Sequence, residues 1–183
     1  MAQEQHFKLI NEAVQKHDIA IWNRWRQENP DIRPDLSGMD LKRADLRHAA
    51  LQGAILRDAN LRGTNLSMAD LRGADFNGTN LVLAHFDSAN LAEANFKGAN
   101  LCDANLSEAN LREADFSDAN LVGALFLGAD LSRANLRDNV RELSVSQIKA
   151  AKNWEYAYYG TGLLEHLGLP LDHNEILWKE GEE

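Results

Sequence analysis

Residues 89–111 read ANLAEANFKGANLCDANLSEANL. Within this stretch Leu or Phe returns at every fifth position: Leu91, Phe96, Leu101, Leu106, Leu111. Ala stands two residues before each of them and Asn one before, so the unit is A-(N/D)-L-x-x. Followed outward, the series runs unbroken from Leu36 to Leu136, with Phe at positions 76, 86, 96, 116 and 126 and Leu elsewhere. A period of five suits neither common template. An α-helix turns every ~3.6 residues, so a step of five drifts around the cylinder, and a flat strand alternates faces at odd steps. The period suits a chain that bends at every unit. Leu or Phe and the Ala two before it then point inward, while Asn or Asp and the two following residues point out.

If four such sides close one coil, residues twenty apart lie above one another as parallel strands about 4.8 Å apart. The inward residues then sort into four columns. Those of Leu41 and of Leu51 are uniformly Leu. A third column holds three consecutive aromatics, Phe76, Phe96 and Phe116, between Leu56 and Leu136. The fourth mixes Leu46, Leu66, Phe86, Leu106 and Phe126, and Thr64 and Thr79 are polar exceptions at the Ala position. Each buried Leu or Phe contributes about 1.5–3 kcal/mol before conformational entropy is charged, so the lumen is expected to be filled, neither channel nor pocket. Asn60, Asn80, Asn100 and Asn120 form an outward column that could bond as an amide ladder. Glycines such as Gly63, Gly73, Gly78 and Gly98 end their units, where a corner needs positive φ.

This run, Asp35 to Arg137, resembles the pentapeptide-repeat family. The resemblance implies an all-β solenoid, a right-handed quadrilateral β-helix of about five coils. Four-sidedness and handedness come from the resemblance, since the period leaves them open. The flanks WNRWRQENPDIRPDLSG and QIKAAKNWEYAYY are similar to segments that bracket the repeats in cyanobacterial members.

Outside the repeat, α-helical caps are expected at both ends, giving segments 1–33, 34–138 and 139–183. Residues 3–28 read as helix with a break near His17, where Asp18 could cap a second helix. Trp22 and Trp25 are read as a lid on the first coil, rather than as a ligand platform. After Leu136 the repeat fails, RDNVRELS is a transition, and Ser144 with Gln147 has capping-box spacing. Val145, Ile148, Ala151, Trp154 and Tyr158 suggest one helical face ended by Gly160, with Ile148 and Trp154 as cap residues. A shorter helix is expected from Gly162 to Leu167, and the acidic tail with Trp178 is expected to be mobile unless that Trp docks.

The chain of 183 residues carries a formal charge of −9, which argues against non-specific binding to nucleic acid or anionic membrane. No run approaches a membrane span, the N-terminus lacks the pattern of an export signal, and Cys102 has no second Cys to pair with. A cytoplasmic location is the resulting expectation. No phosphate loop, dinucleotide fingerprint or zinc spacing occurs, so no catalytic, cofactor-binding or metal-binding residue is assigned.

The surface carries two further features. Val82, Leu83, Cys102, Val122, Leu125 and Leu127 are apolar at outward positions on neighbouring sides, and form a candidate interface unless a terminal segment folds back over them. Lys42, Arg43, Arg47, Arg57, Arg62 and Arg72 crowd the early coils, whereas acidic residues dominate the later ones. Some members of the resembled family bind gyrase by imitating DNA. The expected function is therefore a non-enzymatic scaffold binding a protein partner or a second copy, with a DNA-mimicking modulator of a type II topoisomerase as the alternative. The C-terminal segment serves dimerisation or simply caps.

Overall fold

The computed structural model describes residues 2–137 and 143–180. Each five-residue unit makes one side and one corner of a coil. In the unit of Leu41, the amide of Ala44 donates to the Leu41 carbonyl at 3.1 Å, and Arg43 between them has φ +57°. A left-handed residue at this point of a four-residue turn bends the chain from one side of the coil onto the next. From Gly38 to Arg133 every fifth residue has positive φ, glycine or not. Sequence reading found this corner only where it carries Gly. Leu83, Glu93 and Met68 occupy it too, because the next coil's hydrogen bonds hold their backbone.

Those bonds run between residues about one coil apart. Leu81 N donates to Asn100 O at 2.7 Å, Leu83 N to Cys102 O at 2.9 Å, and Asn100 N to Thr79 O at 3.0 Å. The bridges are all parallel, and from Asp35↔Ile55 to Asp115↔Asn135 each joins residues twenty apart. The coil is therefore four-sided. We number its sides by their first inward residue: first (Leu36), second (Leu41), third (Leu46) and fourth (Leu51).

Inside, every repeat Leu and Phe is at most 3 % exposed. Phe96 stacks between Phe76 and Phe116 at centroid distances of 4.8 and 4.9 Å, the rings parallel, and Phe86 meets Phe76 and Phe96 edge-on. The Thr64 and Thr79 hydroxyls donate to the Leu41 and Leu56 carbonyls, each at 2.7 Å, so neither polar group is left unpaired in the lumen. Outward, the expected amide ladder is displaced. In the column of Asn80, Asn100 and Asn120 each Oδ1 accepts the backbone N–H two residues on. Bonds along the stack occur at the foot of that column, from Asn60 to Asp40, and on other sides, as from Asn110 to Asn90 and from Asn95 to Asp75.

The N-terminal end is closed by α1 (Ala2–Gln15) and α2 (Ala20–Glu28). His17 at φ +52° makes the break, and Asp18 Oδ1 accepts from Ala20 N at 3.0 Å. Ile10, Ala13, Trp22 and Trp25 are buried and continuous with the core of the coils. The cap also supplies hydrogen bonds where a preceding coil would have done so. Trp22 Nε1 donates to Ala50 O at 2.9 Å, Asn23 accepts from Ala50 N, and His6 Nδ1 accepts from Asp35 N; Asn23 also donates to His48 O, outside the ladder. The Arg26 guanidinium donates to Asn29 O and Ile32 O.

The C-terminal end departs from expectation. Ser144 and Gln147 do form a capping box, but α3 is only Val145–Lys149. The chain then returns to the solenoid instead of continuing as one helix through Tyr158. Ala150, Lys152 and Tyr156 carbonyls accept the amides of Gly128, Leu131 and Arg133 on the last coil. A 3₁₀ turn, Trp154–Tyr156, follows, and β1 (Asn135–Leu136) pairs in parallel with β2 (Tyr158–Tyr159). The open donors of the last coil outweigh a helical periodicity, and Asn153 at φ +55° ends the helical path. Ile148 is buried and Trp154 partly so, with Lys149 Nζ 5.3 Å from the Trp154 ring. Helix α4 (Thr161–Leu167) ends at Gly168, φ +77°.

The tail forms α5 (His173–Glu180), docked by residues other than Trp178. His173 Nε2 lies 3.0 Å from Ala157 O. Asn174 accepts from Tyr159 N and donates to Tyr159 O, while Trp178 remains 65 % exposed. The core of the RDNVRELS transition and the expected boundary at 138–139 lie outside the described residues.

Candidate functional site

The six apolar surface residues lie on the second and third sides and the corner between them. Val82, Cys102 and Val122 follow one another up the second side, half-buried. Leu83 stands at the corner, 44 % exposed, because its inward-facing neighbours are Leu81 and Ala84. Leu125 and Leu127 flank the buried Phe126 on the third side and are 54 % and 65 % exposed. The residues form two patches rather than one strip, since exposed Asp103 occupies the corner between Leu83 and Gly123. Asn105, which donates to Asp87, separates them further. Met68, 59 % exposed, borders the third side at its far corner, in an earlier coil. Its signal in the sequence was a large apolar residue at a unit's last position, where Gly or a polar residue is usual.

The terminal segment borders this surface without covering it. Gln147 Nε2 donates to Ala124 O at 2.8 Å and reaches Leu121 O at 3.3 Å, which fixes α3 beside the last coil. A groove of about 310 Å³ opens between them, lined by Ser107, Leu125, Leu127, Ser146, Gln147 and Ala150. Its walls are mostly apolar, and the Gln147 amide is already bonded within the chain. The groove can therefore bury a hydrophobic side chain but presents no acid–base pair.

Chemically reactive groups are dispersed. Cys102 is a free thiol. His85 Nδ1 stands 3.8 Å from Asp87 on the third side, while His6, His166 and His173 bond to backbone atoms. Among the described residues no three His, Cys, Asp or Glu side chains converge on a point that could hold a metal. No helix among them is long and apolar enough to cross a membrane.

The charge asymmetry is largely neutralised locally. Lys42 pairs with Asp40, Arg47 with Asp45 and Arg72 with Asp70, each within its own unit, and Arg57 reaches the buried Asp75 at 2.6 Å. The bond from Arg47 holds the Asp45 carboxyl below its ordinary range. Burial alone pushes Asp70 up, but Arg72 and Gln52 together bring it below its usual value. The carboxylates of Glu93, Asp103, Glu108, Glu113 and Asp118 sit at unit ends on all four corners, so the acidic charge encircles the later coils instead of lining one side.

The sequence matches a family model described as pentapeptide repeats, in eight copies, over residues 40–78, 69–108, 79–118 and 109–138. No curated protein matches the chain. Among solved structures, a pentapeptide repeat protein from the Arabidopsis thaliana thylakoid lumen is 33 % identical over 57 % of this chain and 70 % of its own, with a TM-score of 0.39. HetL of the cyanobacterium Nostoc sp. strain PCC 7120, described as involved in heterocyst differentiation regulation, is 36 % identical over 58 % of this chain and 56 % of its own, TM-score 0.33. A pentapeptide repeat protein from the cyanobacterium Cyanothece 51142 is 24 % identical over 75 % of this chain and 97 % of its own, TM-score 0.43. With repeats matched over more than half of its length and coils that close every twenty residues, the chain belongs to the pentapeptide-repeat family, whose fold is the right-handed quadrilateral β-helix.

Proposed function

We propose that the chain is a non-enzymatic scaffold that binds a protein partner, or a second copy of itself, through its third side and the corners that bound it. The observation that carries this reading is the exposure of Met68, Leu83, Leu125 and Leu127 along that side and its two corners. Equivalent positions on the other sides are mostly polar or Gly. Large apolar side chains exposed on one side of a rigid surface, here in two patches parted by Asp103 and Asn105, mark an interaction site more often than ones scattered singly over every side do. The filled lumen and dispersed His and Cys favour binding over catalysis.

The test is a double substitution, Leu125→Glu with Leu127→Lys. Both side chains are exposed, so the fold should lose no more than about 0.5 kcal/mol for each, about 1 kcal/mol together. Capture of the partner from native extract, or self-association seen by light scattering, should disappear. Unchanged association would remove this surface from consideration. The alternative, a DNA-mimicking modulator of a type II topoisomerase, needs a continuous acidic side. The corner carboxylates encircle the coils here, and a supercoiling assay with no inhibition or protection would close that alternative.

A further inference from the structure

The N-terminal cap closes only part of the first coil. On the fourth side Trp22, Asn23 and Arg26 bond to the Ala50 carbonyl, the Ala50 amide and the Gln52 carbonyl. On the first side His6 accepts from the Asp35 amide. The second and third sides have no such surrogates among the described residues. The amides of Asp40 and Asp45, and the carbonyls of Asp40, Lys42, Asp45 and Arg47, have no hydrogen-bond partner there. In every later coil the equivalent groups of these two sides are bonded to the coil below, as Asn65 N is to Ala44 O and Leu46 N is to Asn65 O. Asp40, Lys42, Asp45 and Arg47 are exposed.

Beside this open ladder lies a groove of about 270 Å³ between the third side and the α1–α2 linker, lined by His17, Ile19, Asp45, Arg47 and His48. Near its rim the guanidiniums left without an ion pair outnumber the one linker carboxylate, Asp18, which accepts from Ala20 N. Lys42 with Asp40 and Arg47 with Asp45 cancel as ion pairs at 2.9 and 2.7 Å, leaving Arg43 at the corner and Arg62 one coil above without an ion pair among the described residues. Arg43 lies along that corner, its Cγ 3.6 Å from where a Cβ at Gly63 would stand, an ordinary packing distance.

We propose that this edge is a strand-addition site for an extended acidic segment of a partner protein. Three features set the occupant's chemistry. The ladder dictates a parallel strand that offers a carbonyl to Asp45 N and amides, two and four residues later, to Asp45 O and Arg47 O. The narrow groove beside Ile19 accepts side chains of one face of that strand. Arg43 and Arg62 attract carboxylates on the other. This surface is distinct from the patch of Leu125 and Leu127, so either can fail without the other.

The test uses the full chain and a short fluorescein-labelled peptide of alternating glutamate and valine. Fluorescence anisotropy should show saturable binding. N-methylating the peptide amides that face the edge should weaken it at least about tenfold, as should Arg43→Glu with Arg62→Glu. Amide exchange at Asp40 and Asp45, read by NMR, should be slowed by the peptide. No saturable binding at about 1 mM peptide overturns the proposal. So does equal binding of a lysine–valine peptide, or binding that leaves the Asp45 amide unprotected. N-methylation leaves the protein itself unaltered, so the backbone arm decides even if the charge-reversed variant loses its fold.

Discussion

The stack of Phe76, Phe96 and Phe116 allows aromatic packing in the lumen to be separated from simple burial. Phe96 is fully buried, with parallel rings on both sides at 4.8 and 4.9 Å and the edge of Phe86 at 6.1 Å. Phe126 is 1 % exposed but has one aromatic neighbour, Phe116, edge-on at 6.2 Å. Leu is a native occupant of both columns, at Leu56 and at Leu106, so Phe→Leu is sterically admissible at either position. The two substitutions remove the same volume, and their difference isolates the stacking. At about 0.5–1.5 kcal/mol per aromatic pair, Phe96→Leu loses about 1.5–4.5 kcal/mol of aromatic contact against about 0.5–1.5 for Phe126→Leu. Phe96→Ala adds a cavity in a closed column and belongs at the upper end of the usual range, about 5 kcal/mol. Guanidinium denaturation measures this: the midpoint should fall more for Phe96→Leu than for Phe126→Leu, with unchanged m-value. Equal shifts would refute the reasoning, because the stack would then add nothing beyond apolar burial.

Two further outcomes test the corner and the C-terminal cap. Gly73 has φ +61° and open space where a methyl group would stand, so Gly73→Ala should cost about 1 kcal/mol through backbone conformation alone, again read from the denaturation midpoint. Tyr159, with its hydroxyl bonded to Trp154 O at 2.7 Å, is held neutral by burial and secondarily by Glu155, so its pKa lies well above the ordinary phenol value. The folded state then keeps a proton that the unfolded state releases, and stability should decline as pH rises above about 10. Tyr159→Phe should flatten that decline, and an unchanged slope would remove Tyr159 as its source.

Much of the lumen was legible because each unit repeats its own instructions. Placing Leu91 or Phe96 needs no distant information: an apolar residue every fifth place, with Ala two before it, says which side chains face in. The corner was only partly legible. Gly63 and Gly73 advertise positive φ, whereas Glu93 and Leu83 adopt it under the hydrogen bonds of the coil above, which no local preference reveals. The helical reading of residues 145–158 failed for a related reason. Its apolar spacing fits a helix, but the amides of Gly128, Leu131 and Arg133 draw the chain back into the ladder. The outward placing of the six apolar residues was legible unit by unit, but their division by Asp103 and the addition of Met68 depended on seeing the corner.

The sequence by itself determined the period and which side chains face a filled axis, because these follow from a pattern that every unit restates, whereas the twenty-residue closure that sorts them into columns is set by the bridges between coils. Only the tertiary structure decided how the ends are finished. At one end Asn23 spans the amide of Ala50 and the carbonyl of His48, and at the other Asn174 spans both backbone groups of Tyr159. A side-chain amide carries the same donor and acceptor as a peptide group, so it can stand in for the strand that is missing. Where no such stand-in reaches, at Asp40 and Asp45, the ladder is left open, and that depends on the fold of the cap rather than on the repeat.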